Sequence, residues 1–168
     1  ITGPSVEARA AGQSKKENAE RHDIRKEWWS QLIKRADQYT KLHSHITPVE
    51  GNAVGTRIGR TISLNYVVMQ NECRVELYIA GAKDSSEENK DIYNRLHAYK
   101  EDIERSFGEP LIWDCVVGRS ACRIHYTRHE GGYRSAEGDW QFIQEATIKD
   151  MVKLEKVFSP IIKQLKLA

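Results

Sequence analysis

The alternation of apolar and polar residues along the chain sets out most of its elements. Residues 23–42 carry Ile24, Trp28, Leu32, Ala36 and Tyr39 at spacings of three and four, with Trp29 and Ile33 widening the same face. This predicts an amphipathic helix started by Asp23. Two adjacent tryptophans are large areas to bury, so the helix is expected to dock on a sheet. Cofactor stacking by Trp28 or Trp29 is the lesser alternative. At 61–69, Ile62, Leu64, Tyr66 and Val68 alternate with Ser63, Asn65 and Val67. At 73–80, Val75, Leu77 and Ile79 alternate with Arg74, Glu76 and Tyr78. Gln70, Asn71 and Glu72 connect the two runs, which predicts a β-hairpin.

A second helix is expected from Ser85, with Glu88 at capping-box spacing, to Phe107. Its stripe is Ile92, Leu96, Tyr99, Ile103 and Phe107, ended by Gly108 and Pro110. Residues 111–117 and 121–128 predict a second hairpin around Gly118, Arg119 and Ser120, with Ile124 and Tyr126 inward and Arg123, His125 and Thr127 outward. A last helix from near Asp139 to Leu165 carries Trp140, Ile143, Thr147, Met151, Leu154, Phe158, Ile161 and Leu165 on one side. Pro160 is expected to kink or divide it. The predicted order is α-β-β-α-β-β-α. The expected fold class is α+β, with an antiparallel four-stranded sheet of two hairpins packed with three helices.

Residues 43–60 read as a loop. Its GNAVGTRIG stretch lacks the Gly-Lys-Ser/Thr of a phosphate loop and follows no strand, so its glycines are assigned to positive φ and close chain approach. Residues 1–20, rich in Gly, Ala, Ser, Glu and Lys, show neither helical nor strand periodicity. They read as a linker or disordered tail, and 21–168 as a single α+β domain. Because the chain starts at Ile1, the linker is expected to lead from a missing N-terminal domain; a processed tail is the alternative.

Composition narrows the function classes. The 168 residues are 39% hydrophobic and 30% charged with a formal net charge of +2, which suits a polar-surfaced single domain. No apolar run nears the roughly 20 residues of a membrane span. A cytoplasmic, membrane-free protein is expected. Three cysteines cannot all pair and are expected to pack as small apolar groups. A zinc site from Cys115, Cys122, His125 and His129 has poor spacing. Glu88-Asn89-Lys90 has the Glu-x-Lys spacing of a divalent-metal nuclease, yet its place at a helix start explains the carboxylate better. Glu76 and Lys83 are seven apart, which does not fit. No nucleophile elbow or Cys/His signature is present. No cofactor, catalytic residue or metal ligand is assigned.

Local charge is more informative than the sum. Arg119, Arg123, Arg128 and Arg134 lie together with His125, His129, Tyr126 and Tyr133 against a single Glu130, and Arg57 and Arg60 precede the first predicted strand. Basic residues interleaved with aromatics suit phosphate contacts and base stacking. Arg60, Arg119, Arg123, His125, Arg128 and Arg134 are therefore the candidate nucleic-acid contacts. The competing reading is a solvated strand face paired to Glu72, Glu76 or Asp114 across the sheet.

Several stretches together resemble a known family. They are 25–32 (RKEWWSQL), 74–79 (RVELYI), 89–113 (NKDIYNRLHAYKEDIERSFGEPLIW), the RI at Arg123 and Ile124, and Trp140 through the last helix to Phe158. The chain resembles a bacterial domain family of unknown function that is often fused behind a restriction-endonuclease-like (PD-(D/E)XK type) nuclease domain. The resemblance implies a C-terminal accessory domain and supplies no catalytic residues. The resulting expectation is a non-catalytic accessory domain of a nuclease-related, defence-type bacterial protein that binds nucleic acid, with DNA as the candidate partner, or recognises substrate. Its partner would be the N-terminal nuclease-like domain of the same protein. The alternatives are a protein-interaction or dimerisation module, a possible homo-oligomer built on the stripe of the last helix, and a divalent-metal-dependent nuclease.

Overall fold

In the computed structural model, residues 3, 5–82, 85–116 and 118–168 are described. Parts of three sequence expectations, at Ile1, Lys83 and Val117, lie outside the described residues. The elements are α1 (Val6–Ala36), β1 (Ala53–Arg57), β2 (Ile62–Val68), β3 (Cys73–Ile79), α2 (Ser86–His97), α3 (Lys100–Phe107), β4 (Ile112–Asp114), β5 (Cys122–Arg128), a short 3-10 turn (Glu137–Asp139) and α4 (Trp140–Gln164). The five strands form one antiparallel sheet in the order β1-β2-β3-β5-β4. The α+β class and antiparallel sheet are as expected. Among the described residues the sheet has five strands and the domain four α-helices, rather than four and three.

Each difference has a local cause. β1 lies in the expected loop because an edge strand with only Val54 buried shows no alternation. The helix expected over 85–107 breaks at Ala98 and Tyr99 into α2 and α3, although its apolar stripe runs through both. Ser85 does not cap α2 with its side chain. Its hydroxyl donates to the Ala82 carbonyl and accepts from Asn89.

α1 begins seventeen residues before Asp23, inside the stretch that reads as a linker. Ser5 caps it, its hydroxyl accepting from the Ala8 N–H at 3.1 Å. Residues 6–20 are exposed, so strong helix formers carry that stretch and burial contributes no periodicity. Pro160 sits within α4, which runs on to Gln164 undivided.

All four helices pack on one side of the sheet. Trp28, Trp29 and Leu32 of α1, Ile92 and Leu96 of α2, Ile103 and Phe107 of α3, and Ile148, Met151, Leu154 and Phe158 of α4 share one core. The strands reach that core with alternate residues only: Val54; Ile62, Leu64, Tyr66 and Val68; Cys73, Val75, Leu77 and Ile79; Cys122 and Ile124. The apolar stripe of α4 is consumed here, because Thr147, Met151, Leu154 and Phe158 are buried in the domain's own interior.

Gly132 and Gly55 serve close approach, and Gly108 serves a left-handed turn. The 130s loop crosses the β2–β3 turn, where Tyr133 N–H donates to the Met69 carbonyl at 3.0 Å and Arg134 N–H to the Gln70 carbonyl at 2.9 Å. A Cβ on Gly132 would run into those same backbone atoms. Gly55 leaves the space that the Asn65 amide occupies. Gly108 ends α3 with φ 95°, as expected. Among the described residues, none of the glycines at 51, 55 and 59 has positive φ, so of the two roles assigned to that stretch only close approach applies.

Of the three cysteines, Cys73 packs as a buried apolar group, and burial pushes its thiol up to about 12. Cys115 and Cys122 are joined by a disulfide instead.

His43 is buried against Tyr66, and its Nε2 donates to the Leu64 carbonyl at 2.9 Å. Nδ1 has no partner. Protonation would place a second N–H there, and burial holds the imidazole below its ordinary value of 6.5. Burial, followed by the charge of Arg74, lowers His125 as well. Below about pH 6.5 the unfolded chain therefore binds protons that the folded chain refuses. Stability should fall as the pH drops from 7.5 toward 5. Urea midpoints at the two pH values check this, and His43→Gln, which keeps a donor for Leu64 without titrating, should flatten the dependence. A pH-independent wild-type midpoint would count against it.

Candidate nucleic-acid interface

The strand residues that do not enter the core define a second face, on which none of the described helices packs. Register arranges them in rows across the sheet. One row is Ala53, Val67, Arg74 and Thr127; the next is Gly55, Asn65, Glu76, His125 and Ile112; the third is Arg57, Ser63, Tyr78, Arg123 and Asp114.

Glu76 is the centre of this face. It is only 3% exposed. Its Oε2 lies 3.2 Å from Arg74 Nε and 3.6 Å from Arg123 Nε. Asn65 donates to Oε1 at 3.4 Å. The two arginine side chains remain 28% and 31% exposed, so each is ion-paired with the carboxylate and still meets solvent. The Arg123 guanidinium also lies 5.1 Å above the centre of the Tyr78 ring, a cation–π geometry. His125 occupies the row position next to Glu76, with its Nδ1 3.4 Å from the Thr127 hydroxyl. Burial and the flanking arginines keep it from charging as readily as an ordinary histidine, against weaker opposing effects of Asp114 and Glu72.

The six residues expected to contact nucleic acid do not form one surface. Arg123 and His125 share the helix-free face. Arg128 is inward by strand parity, and its guanidinium binds the Asp150 carboxylate of α4. Arg134 pairs with Glu20 of α1 at 3.3 Å and lies over Tyr133. Arg119 is exposed in the β4–β5 connection, and Arg60 in the β1–β2 turn, where its carbonyl accepts from Arg57. The competing expectation holds in part, since Glu76 pairs with Arg123 across the β3–β5 boundary and with Arg74 along its own strand. Arg74 and Tyr78 were missed as site residues. Their outward parity was readable, but the neighbour that joins them to Arg123 was not.

The other candidate chemistries find no matching geometry. Cys122 and His125 are three apart on one strand and point to opposite faces. His129 pairs with Glu72 at 3.2 Å. Asn89 of the Glu-x-Lys triplet is buried, accepting from the Gly81 N–H at 3.1 Å and donating to the Ser120 carbonyl. Among the described residues no group of three His, Cys, Asp or Glu side chains could hold a metal ion. None of the described helices is long and apolar enough to cross a membrane. Trp28 and Trp29 are fully buried, and the Trp29 indole donates to the Gly51 carbonyl at 2.8 Å.

These features define a two-layer α+β domain with one covered and one uncovered sheet face. The chain belongs to the family described as Domain of unknown function (DUF4268), whose model matches residues 24–162. No curated protein and no solved structure matches the chain.

Proposed function

We propose that this domain is a non-catalytic accessory module that binds nucleic acid through the helix-free face of its sheet, alongside a nuclease-like domain in the same bacterial, defence-type polypeptide. The observation that carries the binding reading is the convergence of Arg57, Arg74 and Arg123 with Tyr78 and His125 on the one sheet face left uncovered. Side chains of this kind on an open sheet supply both phosphate contacts and stacking surfaces. The nuclease association rests on the sequence resemblance alone. The dimerisation reading has less behind it, because Thr147, Met151, Leu154 and Phe158 of the α4 stripe are buried within the domain.

Fluorescence anisotropy with a labelled 20-nucleotide DNA strand in low salt tests the reading. Binding should be measurable. Arg57→Glu combined with Arg123→Glu, with folding confirmed by circular dichroism, should weaken it roughly tenfold or more, consistent with the 1–3 kcal/mol of a good contact. A double variant that folds and binds like the wild type would remove this face from consideration.

A further inference from the structure

The helix-free face is unevenly charged, and its unevenness discriminates between kinds of nucleic acid. Glu76 neutralises the centre by holding Arg74 and Arg123. Strand register sets Asp114 opposite Arg123. Arg57, Arg74 and Arg123 against Glu76 and Asp114 leave one net positive charge on the face. None of the ion pairs among the described residues involves Arg57, whose Nη1 donates to a carbonyl. A duplex carries about one phosphate charge per 1.7 Å of axis, and proteins that hold it neutralise several phosphates with free cations. This face does not offer them.

What it offers instead is planar surface. The Arg123 guanidinium lies over the Tyr78 ring, 5.1 Å from its centre, and His125 occupies the adjacent row. The carboxylate of Glu76 is only 3% exposed, yet it is ion-paired with both guanidiniums. Such platforms take bases whose faces are free, which a duplex keeps stacked inside.

We infer, building on the nucleic-acid reading above, that this face takes single-stranded nucleic acid by stacking unpaired bases on the Arg123–Tyr78 pair and the His125 ring. Phosphate contacts are confined to the rim, chiefly Arg57.

The test compares a 15-nucleotide single strand of DNA, one of RNA and a 15-base-pair duplex with the full chain, by anisotropy between 50 and 300 mM NaCl. The expected result is a single strand bound about tenfold or more tighter than duplex, and a shallow log K against log salt slope. At about 0.7 per phosphate, one or two contacts give a slope of about −1. Tyr78→Leu should weaken single-strand binding roughly tenfold and Tyr78→Phe should leave it unchanged. A strand carrying 2-aminopurine should be quenched on binding the wild-type protein, a readout independent of whether the variants fold. Duplex binding as tight as single-strand binding, or an unquenched probe in a bound complex, overturns the stacking inference while leaving the nucleic-acid reading intact. No binding of any of the three at 50 mM salt overturns that reading itself.

Discussion

Arg128→Ala is expected to remove about 3 kcal/mol of stability, with little change in the nucleic-acid affinity of the protein that stays folded. Arg128 looks like a nucleic-acid contact in the sequence, since it sits in an arginine-rich hairpin. In the fold, its Nε and Nη2 both bind the Asp150 carboxylate, the latter at 3.0 Å. The carboxylate raises the guanidinium's proton affinity, chiefly through that hydrogen bond. Asp150 is buried in α4 and has only 3% of its side chain exposed. Without Arg128, a buried charge loses its partner, which typically costs about 3–5 kcal/mol. The lower end applies because the arginine remains 29% exposed and water can replace part of the interaction. Asp150→Ala should cost less than Arg128→Ala, because the cation it strands still reaches solvent. Urea denaturation and anisotropy on the same samples separate the outcomes. Unchanged stability with lost binding would return Arg128 to the interface.

Trp28→Ala is expected to destabilise the domain by about 3–5 kcal/mol, the range for deleting a buried aromatic, and to lower Tm by roughly 10 °C. Trp28 is fully buried and meets Trp140 edge to face at 5.1 Å, which seats α1 on α4. Its carbonyl also accepts from the buried Gln144 amide at 3.2 Å. The indole N–H has no hydrogen-bond partner among the described residues, so the loss is one of volume and contact. Trp28→Phe should therefore cost clearly less than the alanine variant. Phe142, on the same α4 but 72% exposed, provides the control, since Phe142→Ala should stay within about 0.5 kcal/mol. Calorimetry showing equal effects at the two positions would contradict the packing described.

Legibility followed burial. β2, β3 and β5 alternate because one side of each enters the core and the other does not, so their outward residues were readable one strand at a time. β1 escaped because an edge strand buries too little to leave a pattern. The first half of α1 escaped for the opposite reason: it is helical through propensity and a Ser5 cap, with no apolar face. The candidate site was half readable. Arg123 and His125 were placed correctly outward, and Glu76 was named as a possible partner. Arg128 is two residues beyond Tyr126, a residue assigned inward, so its parity already pointed away from the face to which it had been grouped.

The sequence by itself determined the class of fold, the central hairpin, the helix stop at Gly108 and the burial of Trp28 and Trp29. Each of these depends on periodicity, turn chemistry or a short-range signal. Tertiary structure alone decided that β5 lies beside β3, with β4 outside it. That pairing joins residues about fifty positions apart, and nothing local encodes it. It brings Arg74, Glu76 and Tyr78 against Arg123 and His125, turns a run of arginines into a paired and partly neutral surface, and sends Arg128 to the opposite side to hold Asp150.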